Sequence, residues 1–556
     1  MLESTETSET TLIDKLLADQ RELSAVTRFS RRHERQEIPA QAKYYRDLIP
    51  LSLPKPGEQY AFEVDLDKCS GCKACVTACH NLNGLAENET WRSVGSLHGG
   101  TAAAPVQKTV TTACHHCVDP ACLNGCPVLA YEKDSITGIV HHLDDQCIGC
   151  SYCVMKCPYE VPQYHKKKGI VRKCDLCSSR LLVNEAPACV QSCPNEAIRI
   201  TVVGKKQVAN ETTTQSQVVP GAPASHYTLP TTRYRTEREL PANTQPADFT
   251  RLKPAASHPP LAIMLVLTQL SVGMFCVAAL GQSFFEAATI EFKKLYLLAA
   301  LSFGGLGLAA STLHLGRPLQ AWKAFLGWRK SWLSREIILF GIFIHLAVAQ
   351  VAIFWFPLPV PNWLLNASVV LSGVIGVFCS VMVYVDTRRT LWSLRLSGGK
   401  FFGSTILLGV AATVALSVLP GNSAPSLLIA SLIIISAAKL GWEAKCLMTG
   451  RKEGPSTSEN ATTFDPSETA IWSAQQSARL QTGILRRATV ARFACGALGG
   501  IMIPSVLLAL THGSAIDFVP ALSLASFALC LAGELLERHL FFTAVVAPKM
   551  PGGLSE

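Results

Sequence analysis

The chain has 556 residues, 49% of them apolar, a formal net charge of +9 and 21 cysteines. These averages hide two unlike halves: residues 1–258 are polar and cysteine-rich, whereas from Pro259 onward long apolar runs carry few charges. The length leaves room for several domains, and the positive charge comes without a basic–aromatic recognition motif, which argues against nucleic acid as a partner.

Residues 1–58 are expected to form an amphipathic helix followed by an arm. Leu12, Leu16, Leu23 and Val26, with Ile13 and Leu17 beside them, recur at i, i+4 and i+7 spacing. Such a pattern says that one face is buried, not what covers it. Docking on the chain's own domain is the plainer expectation, a partner-binding arm the sharper one. Arg31-Arg32 is followed by His33-Glu34-Arg35-Gln36-Glu37 rather than an apolar stretch, so no export leader is expected.

Residues 59–200 hold sixteen of the cysteines in four runs: Cys69, Cys72, Cys75 and Cys79; Cys114, Cys117, Cys122 and Cys126; Cys147, Cys150, Cys153 and Cys157; and Cys174, Cys177, Cys189 and Cys193. Three runs end in Cys-Pro, at Pro127, Pro158 and Pro194. This is ferredoxin-type spacing, in which three close thiolates hold one [4Fe–4S] cubane and the remote cysteine ligates its neighbour. Zinc ribbons also use Cys-x2-Cys pairs, but they draw four ligands from two knuckles and need no third and fourth cysteine followed by proline. A disulfide framework belongs to small secreted chains. The expectation is an α+β ferredoxin-like domain of tandem two-cluster units, with all sixteen cysteines as iron ligands of four cubanes.

Residues 201–258, rich in Thr, Pro, Ala and Gln, read as a linker or an extended strap. Residues 259–545 then contain eight stretches long enough to span a bilayer, near 260–284, 294–313, 335–356, 363–384, 401–419, 425–445, 488–511 and 518–541, before a tail at 546–556. The expected fold of this half is an all-α polytopic membrane domain. A tight hairpin at Pro420–Ala424 joins the fifth and sixth.

Eight spans put both termini and loops 2–3, 4–5 and 6–7 on one side. Those loops and their flanks hold Arg317, Lys323, Arg329, Lys330, Arg335, Arg388, Arg389, Arg395, Lys400, Lys445, Arg451, Lys452, Arg479, Arg486, Arg487 and Arg492, against Lys293 and Lys294 opposite. The positive-inside rule places the cysteine domain in the cytoplasm. Ionisable residues at the ends of spans gather on the same side. Lys439/Glu443 and Glu534/Arg538 are spaced i, i+4 and are expected to neutralise each other. His314 and Glu336 flank one loop without such partners, and a histidine with a carboxylate suits the binding and deprotonation of a quinol.

The cysteine half resembles the four-cluster iron–sulfur subunit of the dimethyl sulfoxide reductase family of molybdenum enzymes over roughly residues 60–200, including Cys-His-His-Cys-Val-Asp-Pro-Ala-Cys at 114–122 and Cys-Pro-Tyr at 157–159. The membrane half resembles that enzyme's eight-helix anchor subunit in Leu313-His314-Leu315-Gly316-Arg317-Pro318, Ser334-Arg335-Glu336-Ile337 and Leu531-Ala532-Gly533-Glu534-Leu535. The chain therefore looks like a fusion of two subunits. The resemblance implies that the outer and inner motif pairs exchange their last ligands. The four sets are then Cys69, Cys72, Cys75 with Cys193; Cys174, Cys177, Cys189 with Cys79; Cys114, Cys117, Cys122 with Cys157; and Cys147, Cys150, Cys153 with Cys126. It also assigns His314 to a menaquinol site, with Glu336 at a neighbouring acidic position. Its best-known members carry the cluster subunit outside the cytoplasmic membrane, in conflict with the charge bias.

The function expected is electron transfer and membrane anchoring. Menaquinol or ubiquinol in a prokaryotic inner membrane is oxidised near His314, and electrons pass along four [4Fe–4S] clusters to a separate molybdopterin subunit carrying molybdenum or tungsten. One alternative reverses the current, from a formate dehydrogenase or hydrogenase partner to quinone. A remote one is an ion-translocating protein with a regulatory iron–sulfur domain. Haem is disfavoured, because the candidate ligands His314, His345, His512 and His539 are scattered.

Overall fold

The computed structural model describes residues 11–23, 42–214, 216–281, 288–356, 361–418, 425–451, 466–510 and 518–552. Val26, Arg31-Arg32, the expected hairpin at Pro420–Ala424, Lys452 and His512 lie outside the described residues. A cysteine domain of small sheets followed by eight long apolar helices is the architecture the sequence pattern calls for.

In the cysteine domain the strand Glu58–Asp65, buried on both faces, pairs antiparallel with Ile198–Gly204 and parallel with Arg233–Arg235. The strand after the last cysteine thus lies against the strand before the first, which draws the first and fourth motifs together. A hairpin of Ser93–Gly100 and Pro105–Thr112 takes Gln245–Pro246 as a third strand. Two smaller hairpins, Tyr131–Lys133 with Val140–His142 and Gln163–His165 with Ile170–Arg172, follow the second and third motifs. Each motif sets cysteines on a short helix: Cys75 and Cys79 on Ala74–Leu82, Cys122 on Ala121–Gly125, Cys153 on Tyr152–Lys156 and Cys189 on Ala188–Gln191.

Residues 205–258 are a strap across this domain. They supply the helix Lys205–Thr214 and two of the strands above, and the Thr231 hydroxyl donates to the His115 carbonyl at 2.6 Å. The chain end returns to the same place, where Ser96 N–H donates to the Gly552 carbonyl at 3.0 Å and Lys549 pairs with Asp248 at 2.6 Å. The apolar face of Leu12–Leu23 is uncovered: Leu12, Ile13, Leu16 and Leu17 are all exposed.

The helices able to cross a membrane are Pro259–Leu280, Ile290–Thr312, Trp332–Ala352, Asn362–Val385, Leu394–Val418, Ser426–Gly450, Arg486–Leu510 and Val519–Thr543. The first and fifth form the centre and meet at Gly273 and Gly409. A Cβ on Gly273 would sit 2.0 Å from the Thr405 carbonyl oxygen, so the close crossing requires glycine. The helix Pro466–Thr482, between the sixth and seventh spans, stacks its Trp472 on Phe249 of the strap at 4.9 Å.

Buried charge in this half pairs differently from the local pattern. Lys439 does meet Glu443, at 3.3 Å, but it also contacts Glu534 on another span, and Arg492 bridges Glu534 at 2.8 Å and Glu443 at 3.1 Å. Arg538 turns away from Glu534 to Glu537 at 3.4 Å and to Gln269 at 3.0 Å, while Lys400 reaches Glu537 at 2.7 Å. The i, i+4 spacing hid this because the approach of five helices, not one helix face, sets the partners.

Candidate functional site

The thiols gather in four groups. Cys69, Cys72, Cys75 and Cys193 lie within electrostatic reach of one another and line a common cavity. Cys79 meets Cys177 and Cys189, with Cys174 beside Cys79 and Cys177. Cys117 meets Cys114, Cys122 and Cys157, and these four line a second cavity with His115, His116 and Lys173. Cys153 meets Cys126, Cys147 and Cys150. Each group thus takes its fourth member from a different motif.

A single zinc ion needs thiolates about 2.3 Å from one point. Among the described residues no set of three or more His, Cys, Asp or Glu side chains is gathered that way. Thiols set around a cavity suit a [4Fe–4S] cluster, whose ligands bind separate irons. Backbone amides also point at the sulfurs: Ala130 N–H to Cys126 Sγ at 3.2 Å, Ala197 N–H to Cys193 Sγ at 3.3 Å and Gly149 N–H to Cys147 Sγ at 3.4 Å. Left-handed residues such as Gly71, Lys73, Gly149, Ser151 and Cys177 curl the loops to allow this. Burial, with Cys189 adding and Arg92 opposing, pushes the Cys79 thiol up to about 12. The site therefore favours thiolates only when a cation is present to hold them.

The groups form a line. Arg92, 2% exposed, lies beside Cys75 of the first group and Cys79, Cys174 and Cys189 of the second. Lys173, 3% exposed, lies beside Cys174 of the second and Cys114 and Cys122 of the third. Tyr131 lies between Cys122 of the third and Cys126 and Cys153 of the last. At one end Cys72 is exposed.

At the other end the loop between the second and third spans is clamped onto the last group. Arg317 N–H donates to the Ile148 carbonyl at 3.1 Å, Gly327 N–H to the Pro127 carbonyl at 2.8 Å and the Ser331 hydroxyl to the Gly125 carbonyl at 2.7 Å. Gly149 and Gly169, both with positive φ, touch Gly316 backbone to backbone; a Cβ on Gly316 would lie 2.0 Å from the Gly169 carbonyl oxygen. Tyr152, next to Cys153, reaches into the membrane half and donates to the Val383 carbonyl at 2.8 Å, and Lys156 pairs with Asp386 at 2.6 Å.

His314 and Glu336 sit at this junction. Their neighbours Leu315 and Ile337 pack against the core around Cys126, Cys147 and Cys153. Glu336 is 3% exposed, accepts a hydrogen bond from the Ser380 hydroxyl and lies within electrostatic reach of Tyr152. Burial holds the His314 imidazole down at about 4, the Ser311 backbone pulling it up and His258 adding to the depression. His314 is therefore neutral at ordinary pH, with a ring nitrogen able to accept a hydrogen bond. Among the described residues no hydrogen bond joins His314 to Glu336 directly.

Tyr152, Arg92, Lys173 and His258 carry no mark in the sequence as participants. His258 precedes the first span and lies beside His314, and it lines a cavity with Met155, Arg389, Trp392 and Phe542. Each is a single residue outside any repeated spacing; the hints are the positions of Tyr152 directly before Cys153 and of Lys173 directly before Cys174.

Comparison with known proteins agrees with this geometry. Residues 106–203 match a 4Fe-4S dicluster domain, and residues 255–544 match the DMSO reductase anchor subunit (DmsC) family. Among relatives, the probable anaerobic dimethyl sulfoxide reductase chain YnfG of Escherichia coli (strain K12) is 36% identical over 180 residues, 31% of this chain and 86% of its own. The hydrogenase-2 operon protein HybA of Escherichia coli O157:H7 is 38% identical over 160 residues, 24% of this chain and 49% of its own. The formate dehydrogenase-O iron–sulfur subunit of Escherichia coli (strain K12) is 33% identical over 172 residues, 28% of this chain and 57% of its own. The chain is a multi-pass membrane protein of the DMSO reductase anchor subunit family, with a 4Fe–4S electron-transfer domain fused ahead of the anchor.

Proposed function

We propose that this chain oxidises quinol in its anchor and passes the electrons to a separate molybdopterin subunit carrying molybdenum or tungsten. Four [4Fe–4S] clusters, when bound, supply one-electron carriage. Cys69, Cys72, Cys75 and Cys193 hold one; Cys79, Cys174, Cys177 and Cys189 the next; Cys114, Cys117, Cys122 and Cys157 the third; Cys126, Cys147, Cys150 and Cys153 the one at the membrane. The observation that carries the reading is the clamp of the second–third loop on the last of these groups, which sets His314 and Glu336 beside it.

In this reading His314 accepts a hydrogen bond from one hydroxyl of menaquinol or ubiquinol, and Glu336 receives a proton as electrons leave. Tyr152 and the Lys156–Asp386 pair hold the cysteine domain against the membrane half. Exposed Cys72, at the far end of the line, marks the surface that meets the catalytic partner. The anchor chemistry is read as haem-free: His345 is exposed on the third span, its Nδ1 against the Gly341 carbonyl at 2.7 Å.

We place the cysteine domain on the cytoplasmic side of a prokaryotic inner membrane. Part of the charge bias has another use, since Arg317, Lys323 and Arg389 donate to carbonyls of Asp144, Asp145 and Met155. Arg395, Lys445, Arg486 and Arg487 remain on that side and support the assignment.

The test is anoxic purification of the complex from native membranes, with all co-purifying chains identified and iron, molybdenum and tungsten assayed. The expected result is about sixteen irons per chain, from four cubanes, and a stoichiometric large subunit with pterin and one of the two metals. A metal-free preparation with no large partner contradicts it. Relatives that include a formate dehydrogenase iron–sulfur subunit and a hydrogenase-2 operon protein favour a second reading, with current flowing toward quinone. Formate- or hydrogen-driven quinone reduction by the same complex would establish it.

A further inference from the structure

Two buried cations of the cysteine domain, Arg92 and Lys173, have no carboxylate salt bridge among the described residues. Arg92 donates from Nη1 to the Thr111 hydroxyl at 3.1 Å and lies over the Phe62 ring at 4.5 Å, and Thr111 Oγ1 is 3.6 Å from Cys75 Sγ. Lys173 donates to the carbonyls of Val140 and Cys174, the latter at 2.9 Å, with Asp175 in electrostatic reach. A full charge so deep in a protein is costly unless opposite charge faces it. What faces both cations is thiolate sulfur.

Their positions are unequal along the line. Arg92 stands at the junction of the first and second groups, and Lys173 at the junction of the second and third. The junction of the third and last groups has Tyr131, a neutral phenol. The basic residue beside the last group is Arg317, near Cys147, half-buried and donating to the Asp144 carbonyl at 2.8 Å. The third group has Lys173 on one side and the half-buried Lys133, near Cys117, and Arg389, near Cys157, about it; among the described residues the group of Cys79, Cys174, Cys177 and Cys189 is the one with fully buried cations, Arg92 and Lys173, on both sides.

Adding an electron to a cluster makes it more negative by one charge, and a cation in low dielectric beside it stabilises that reduced form. We propose that Arg92 and Lys173 are tuning residues that make the cluster held by Cys79, Cys174, Cys177 and Cys189 the highest-potential station of the line. It then draws electrons away from the membrane end and holds one ready for the partner. This rests on the four-cluster reading above.

The test is a redox titration of the purified complex followed by electron paramagnetic resonance, on the unsubstituted protein and on Arg92→Gln and Lys173→Met. Four centres in the unsubstituted protein establish the reading it rests on; fewer than four would defeat that reading instead. Each variant is expected to lower the midpoints of two centres, with one centre common to both and one moved by neither. At fixed ambient potential the reduced-to-oxidised ratio of the common centre should fall about tenfold in each variant, 59 mV for one electron. Arg92→Lys and Lys173→Arg should restore it. Should a neutral variant lose iron, Cys177→Ser supplies an independent answer, because it must alter the signal of the highest-potential centre. Midpoints that stay put in fully loaded variants, two variants with no centre in common, or a Cys177→Ser change in a lower-potential centre would each overturn the proposal.

Discussion

The two halves of this molecule handle buried charge in opposite ways. In the membrane half Lys400, Lys439 and Arg492 are met across helices by Glu443, Glu534 and Glu537, and Arg538 by Glu537 of its own helix, so the chain supplies nearly all of its own compensation. In the cysteine half Arg92 and Lys173 are just as deep and have no carboxylate salt bridge among the described residues; what lies beside them is cysteine sulfur. The first arrangement braces helices without help. The second completes itself only when iron and sulfide arrive, which couples folding of that half to cluster assembly.

The largest effect that would break this comparison is expected at Glu534. Glu534→Ala leaves Lys439 and Arg492 deep in the anchor with one carboxylate, Glu443, between them. Removing one partner from a buried ion network costs about 3–5 kcal/mol. Thermal unfolding of the detergent-solubilised complex should fall sharply for the anchor, while the iron content of the cysteine domain, if it assembles, is unchanged. An unaltered melting profile would show that the anchor's charges are not its brace.

Next in size is the seam between the halves. Gly316→Val puts side-chain atoms where Gly169 and Gly149 lie, so the second–third loop must lift off the last cysteine group. Quinol-driven cluster reduction should fall more than tenfold, whereas dithionite, which needs no anchor, should still reduce every cluster. Equal loss with both donors would mean a damaged cysteine domain instead.

A smaller effect concerns pH. His314 is buried in its neutral form with its imidazole near 4, so it binds a proton less readily folded than unfolded. Its capacity to accept a hydrogen bond from a hydroxyl is present above that value and is lost as pH falls through about 4. The rate of quinol oxidation should therefore lack an acid limb from this group near 6.5, the ordinary imidazole value, and the pH profile of quinol-driven reduction checks this. The smallest effect is expected at the amphipathic helix. Leu16→Ser changes an exposed side chain, and the stability of this chain should move by no more than about 0.5 kcal/mol; thermal unfolding decides.

Much of this is legible in the sequence, for reasons specific to each part. The 4Fe–4S character of the cysteine domain can be read because iron ligation fixes cysteine spacing, and the eight spans because a bilayer fixes their length. The apolar face at Leu12 points to docking on the chain's own domain; among the described residues it stays open. The strap's course cannot be read, since its strands at Arg233–Arg235 and Gln245–Pro246 are two or three residues long and exist only through their partners. Arg92 and His258 are invisible for the same reason: nothing near them in sequence hints at what folding places beside them, and the place of Tyr152 before Cys153 does not tell that it reaches the Val383 carbonyl. The pairing of Glu534 with Lys439 and Arg492 defeats a local rule because three helices meet there.

Everything turns on electrons passing from quinol to the cysteine group at the membrane, beside His314. The direct measurement mixes a reduced quinol analogue anoxically with the purified complex and follows cluster reduction by electron paramagnetic resonance, for the unsubstituted chain and for His314→Arg. Rapid reduction is predicted in the first and none in the second, with iron content and dithionite-reduced spectra identical in both. Cluster reduction by quinol at an unchanged rate in His314→Arg would contradict it.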